Sequence, residues 1–130
     1  MKIRTIKKSI DIAHALCPTN WQNVNNSHIA FLVKKNKIVK IGWNKKRTHP
    51  KIVKHPYHDG HVGTHAELDV ILKSGLDNLD DHSMIVLRVD RKGHLANSKP
   101  CPGCLSLIKS YNVNQVFYSD AEGNIEKLSN

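Results

Sequence analysis

Two short clusters in this 130-residue chain carry side chains able to do chemistry, Thr64-His65-Ala66-Glu67 and Pro100-Cys101-Pro102-Gly103-Cys104. His65, Cys101 and Cys104 make a mixed nitrogen and sulfur donor set of the kind that suits zinc. A structural zinc site fills all four tetrahedral positions with protein ligands, whereas a catalytic one keeps three and leaves the fourth to water. Three donors therefore predict an open site holding one catalytic Zn2+. Bound zinc brings the pKa of its water to about 7 and so provides hydroxide near neutrality. Glu67, two residues after His65, is too close to be an obvious fourth ligand, yet it can sit beside that water and move protons.

Each piece has a plainer reading. Thr64-x-x-Glu67 fits the capping-box pattern, in which Glu67 merely caps a helix. A lone Cys-x-x-Cys also occurs in redox motifs and zinc knuckles. Joint occurrence carries the argument, because each cluster opens a predicted helix. The free N–H groups and positive dipole end of a helix start favour thiolates. Pro102 fits a first helical turn, where a missing N–H costs little, and Gly103 keeps bulk away from the metal. His61-x-x-x-His65 looks like half of a zinc-finger pair, but no Cys-x-x-Cys precedes it at finger spacing. Cys17 reads as a small buried or half-buried thiol.

The elements that must position these residues follow from periodicity. Ile3, Ile6, Ile10, Ala13 and Leu16 predict an amphipathic helix ending before Pro18. His28–Val33 and Ile38–Trp43 predict a hairpin around Lys34-Lys35-Asn36-Lys37. Residues 44–63 read as a long loop covering a site. Thr64 opens a helix with Leu68, Ile71 and Leu72 on one face and Gly75 as its cap. Met84–Val89 is continuously apolar except for Arg88, as expected of a strand buried on both faces. A helix after Cys104, a strand over Val113–Ser119 and a closing strand over Ile125–Leu128 complete the pattern. The expectation is an α/β fold: a three-layer α/β/α sandwich whose mixed five-stranded sheet has helices on both faces, forming one domain over 1–130.

Composition narrows the class. Hydrophobic residues make up 39% and charged residues 24%, as in a globular protein, and no apolar run is long enough to span a membrane. The basic N-terminus is followed by Asp11 and His14, a poor signal-peptide core, so a cytoplasmic protein is expected. Three cysteines do not make a disulfide framework. Lys and Arg number 20 against 11 Asp and Glu, for a net charge of +9. Much of the excess lies between Lys34 and Lys54, including Lys45-Lys46-Arg47. That density attracts phosphates and keeps nucleic acid open as a partner. Aromatics at 5% argue against a base-stacking platform.

H-x-E followed by P-C-x-x-C is the signature of zinc base deaminases. With His65-Ala66-Glu67 and Pro100-Cys101-Pro102-Gly103-Cys104, the chain resembles the cytidine deaminase-like superfamily, and the order of elements agrees over nearly its whole length. The resemblance implies hydrolytic conversion of a cytosine base to uracil, with His65, Cys101 and Cys104 as zinc ligands and Glu67 as the proton shuttle. It implies a substrate subsite at Asn44, from Gly42-Trp43-Asn44, with Ala66 in the motif itself and Lys46 and His61 at the site mouth. The tight hairpin expected after Val113 resembles the free-nucleoside branch, while the basic segment points to a phosphate, so a pyrimidine nucleoside or nucleotide is the expected substrate. Two alternatives stand beside it: a deaminase of single-stranded DNA or RNA, and a catalytically silent zinc-stabilised nucleic-acid-binding module. A homo-oligomer is compatible with each.

Overall fold

Ile6, Ile10 and Ala13 recur at helical spacing and line the inner face of α1 (Ile3–Asn20). A computed structural model describes residues 1–20, 27–44, 65–90 and 92–128 of the chain, except for the side chains of 17–20 and 27. The helix does not stop before Pro18, as its sequence suggests, but runs on to Asn20. Proline so near the end forfeits a single backbone bond, the one its missing N–H would give to His14.

The hairpin forms as expected, from β1 (Ser27–Lys34) and β2 (Lys37–Trp43), antiparallel with Lys34 opposite Lys37. Lys35 and Asn36 both have positive φ, 52° and 62°, the signature of a tight two-residue hairpin turn. Asn36 ties that turn to α1, accepting from the Lys2 N–H at 3.1 Å and the Thr5 hydroxyl at 2.9 Å.

α2 (Ala66–Ser74) ends on Gly75 at φ 68°, the left-handed cap the sequence anticipates. β3 (Ser83–Val89), β4 (Leu95–Ala96), α3 (Pro102–Ser110), β5 (Gln115–Ser119) and β6 (Ile125–Lys127) follow. The sheet runs β2-β1-β3-β5-β6, the five strands expected, and β4 adds a sixth by pairing with β3. Two residues are too few to leave a periodic signal, so β4 is invisible in the sequence. Among the described residues, only β3 and β5 pair in parallel; the other pairs are antiparallel.

Alternation splits the central strands between two cores. Ile29, Phe31, Val33, Ile85, Leu87 and Val89 pack on the α1 face. Ala30, Leu32, Met84 and Val86 pack on the other, against Leu68 and Ile71 of α2 and Leu107 and Ile108 of α3. Helices therefore cover both faces of a mixed sheet, the α/β/α arrangement expected.

One contact fixes the site-bearing helix in place. A Cβ built on Gly42 would lie 2.5 Å from the Val70 N and 2.8 Å from its Cα, so α2 can rest on β2 only because residue 42 has no side chain. Gly42→Ala is expected to destabilise the protein by about 1–3 kcal/mol, the usual cost of overpacking. Because His65 caps α2, the variant should also hold less metal, read as zinc content against melting temperature. A variant with wild-type values for both would remove this contact from the account.

Candidate functional site

The site gathers at one end of the sheet. The β1–β3 register places Ser27 opposite Val89 and His28 opposite Arg88, while β2 ends beside them at Trp43. α2 and α3 both begin at this end, the carboxyl end of the parallel pair β3 and β5, where open α/β sheets leave a crevice.

His65 and Cys101 are each the residue before a helix, with extended backbone (φ −71°, ψ 153° and φ −69°, ψ 165°). The cap of α2 is thus His65 and not Thr64, which lies outside the described residues. Glu67 falls at the second helical position, so the capping-box geometry does not apply to it. Pro102 takes the first position of α3, as anticipated, and Cys101 caps that helix by accepting from the Cys104 N–H at 3.5 Å.

The two helix starts meet. His65 Nδ1 lies 3.0 Å from Cys104 Sγ and 3.7 Å from Cys101 Sγ, although His65 stands 39 and 36 residues before them. All three ligand atoms fall within 4.8 Å of one another. Nitrogen and sulfur donors around one tetrahedral zinc stand about 3.6 Å apart, given bonds of 2.0–2.3 Å. The donor set and its spacing therefore fit a single zinc ion, and among the described residues no further donor joins the group.

Electrostatics agree with that use. Hydrogen bonds from Cys104 and His65 bring the Cys101 thiol down to about 4, which makes it a ready thiolate. Hydrogen bonding to Cys101, and then burial, push the Cys104 thiol up, so the pair shares one proton until a cation displaces it. Glu67 is 5% exposed and its carboxyl is raised, chiefly by burial, with backbone hydrogen bonding, then His65, and least a hydrogen bond from Cys104 opposing the rise. A carboxyl whose burial favours its protonated form over the ordinary carboxylate is suited to taking up and returning a proton.

The approach to Cys101 is pinned from behind. Ser98 Oγ lies 2.7 Å from the Val86 carbonyl oxygen and 2.8 Å from Ser119 Oγ, and accepts the Ser119 N–H at 2.8 Å. The Ser98 N–H donates to the Ser119 carbonyl at 2.8 Å, and Ser119 Oγ donates to Ala96 at 2.6 Å. Both serines are buried, so this double latch locks the segment after β4 onto β3 and β5.

Asn44 stands at the end of β2, and its Oδ1 accepts the His28 N–H at 3.1 Å. Asp69 holds that strand end to α2, taking the Trp43 N–H at 3.1 Å and pairing with Lys73 at 2.9 Å. Lys73 also lies over the Trp43 ring, 4.1 Å from its centre. Ala66 is fully buried, its methyl in the core. Lys46 and His61, expected at the site mouth, lie outside the described residues, as does the Cys17 side chain.

Gly42, Asp69, Ser98, Ser119, His28 and Arg88 were not singled out from the sequence for roles at this site. A glycine inside a strand and a lone charge in an apolar strand were the available signals for Gly42 and Arg88. Burial, then Arg88, then His65 lower His28 to about 4, so it is a neutral imidazole near pH 7.

Among the described residues, no helix is long and apolar enough to cross a membrane. No curated protein sequence matches the chain. Among solved structures it is similar to the dCMP deaminase from the cyanophage S-TIM5 in complex with dCMP and dUMP, at 21% identity and TM-score 0.61, over 93% of this chain and 85% of that one. The apo form of that enzyme gives 20% and 0.59, over 93% and 86%. Cytidine deaminase from Burkholderia pseudomallei gives 15% and 0.61, over 99% and 93%. Those likenesses establish the fold. The model of one family, the cytidine and deoxycytidylate deaminase zinc-binding region, matches residues 4–120, and the chain therefore belongs to that family.

Proposed function

We propose that the chain hydrolytically deaminates a cytosine base carried by a nucleoside or nucleotide, with His65, Cys101 and Cys104 as zinc ligands and Glu67 as the proton shuttle. The observation that carries this reading is the burial of Glu67 beside the three donors. A site that held metal for structure alone would have no use for a carboxyl whose burial costs stability.

When bound, zinc acts as a Lewis acid and makes a water molecule acidic enough to attack near neutral pH. Glu67 accepts a proton from that water as its oxygen bonds to C4 of the ring. Glu67 passes the proton to N3, takes up the second water proton, and gives it to the amino nitrogen. The C4–N bond then breaks, ammonia leaves, and the ring retains a carbonyl oxygen. Asn44, held by His28, is the side chain we assign to the sugar or base, and Ala66 lies between ligand and shuttle. Lys46 and His61 are assigned to the site mouth.

The net charge of +9 favours a second reading, deamination within single-stranded nucleic acid. Of the exposed cations, Lys2, Lys35 and Lys37 stand at the hairpin turn, away from the site, whereas Lys99 is two residues before Cys101. From Lys34 to His28, β1 climbs about 20 Å between that end and the site.

The test is ammonia release by the zinc-loaded protein from cytidine, deoxycytidine, their 5′-monophosphates and cytosine-bearing oligonucleotides. Turnover of the small substrates is expected. Turnover of oligonucleotides alone would overturn the proposal, and zinc binding without turnover of any substrate would favour a binding module.

A further inference from the structure

Arg88 is the one charge in the apolar core strand β3. By alternation with Met84 and Val86 its side chain rises from the sheet face that carries α2 and α3. Its cross-strand neighbours are His28 on β1 and Ala96 on β4, neither of which can offer a negative charge. Its Nε is buried and finds no hydrogen-bond partner among the described residues. Arg88 is half-buried, so its Nε lacks a partner inside while the rest of the guanidinium can meet a ligand, and the fork suits a bidentate anion such as a phosphate or carboxylate.

Position says which partner. Asn44, His28 and Arg88 form a row across the ends of β2, β1 and β3, about 10 Å from first to last. One end of the row is the Asn44 assigned to the substrate. The other is the Arg88 cation, directly across from His28. Lys73, a cation beside the Trp43 end of β2, is engaged by Asp69 and Trp43.

We propose that Arg88 is the receptor for the substrate's phosphate monoester, which makes the chain selective for nucleoside 5′-monophosphates over nucleosides. The inference rests on the proposed deamination for the identity of the base, and its test is independent of turnover. Binding of uridine 5′-monophosphate and of uridine to the zinc-loaded protein is measured calorimetrically for wild type, Arg88→Gln and Arg88→Lys, with zinc content and melting temperature as controls.

Wild type is expected to bind the monophosphate on the order of 100-fold more tightly than the nucleoside, the scale set by removing one partner of a buried charge pair. Arg88→Gln should erase that preference while leaving uridine binding within a few-fold. Arg88→Lys should keep part of it. Neither variant should melt lower, since no partner in the described fold is lost. Equal binding of the two ligands by wild type overturns the inference, as does an equal loss of both in Arg88→Gln or tighter binding of an oligonucleotide than of the monophosphate. Phosphate-dependent binding without ammonia release would instead overturn the deaminase proposal and sustain the role of Arg88.

Discussion

Glu67→Gln is expected to retain zinc and to lower the turnover of a cytosine nucleotide by about a thousandfold, within the range general acid–base catalysis contributes. The substitution keeps size and shape and removes a single property, the capacity to take and return a proton. His65 and both cysteines are unchanged, so metal analysis should give the wild-type zinc content. The fold should not suffer either. Glu67 is buried at the second position of α2 and is raised mainly because burial penalises its charge. A neutral amide escapes that penalty, and the melting temperature should match wild type or exceed it. Turnover within tenfold of wild type, with zinc in place, would remove Glu67 from the reaction.

Cys104→Ala is expected to lose the metal and, with it, all measurable turnover. Cys104 is fully buried and its sulfur is 3.0 Å from His65 Nδ1, so its loss leaves two donors that no longer enclose an ion. The chain should still fold, because α2 and α3 rest on Leu68, Ile71, Leu107 and Ile108 independently of the site. Metal that binds the folded state alone stabilises it by about 4 kcal/mol once its concentration is a thousandfold above Kd. Added zinc should therefore raise the melting temperature of wild type and leave that of Cys104→Ala unmoved. An equal rise in both would mean that the ion is held elsewhere.

Much of this site is legible in the sequence because its chemistry is concentrated in few residues. His65-Ala66-Glu67 and Cys101-Pro102-Gly103-Cys104 point to a ligand set and to the shuttle we propose before any fold is known. The apolar run at β3 likewise declares a strand covered on both faces, since no other environment accepts it. What escaped the sequence is set by contacts between distant segments. Thr64 looks like the helix cap by residue type, yet His65 occupies that position. Gly42 enters the sequence reading only as part of Gly42-Trp43-Asn44, and its packing role shows once Val70 is seen against it. Ser98 and Ser119 are unremarkable singly and become a latch when β5 passes behind the segment that follows β4. Arg88 was visible as an exception in β3, but only the register places it beside His28 at the site end.

The 36 and 39 residues between His65 and the two cysteines bear on how the chain matures. Closing a loop of that length costs entropy that local contacts cannot repay, and contacts of such range form late. A nascent chain thus presents Cys101 and Cys104 as a two-sulfur clip that His65 has not yet reached. The complete cage exists once β1, β3 and β5 are paired and both helices have docked. With the ligands proposed, an ion held by all three donors marks a molecule in which the two helix starts have met.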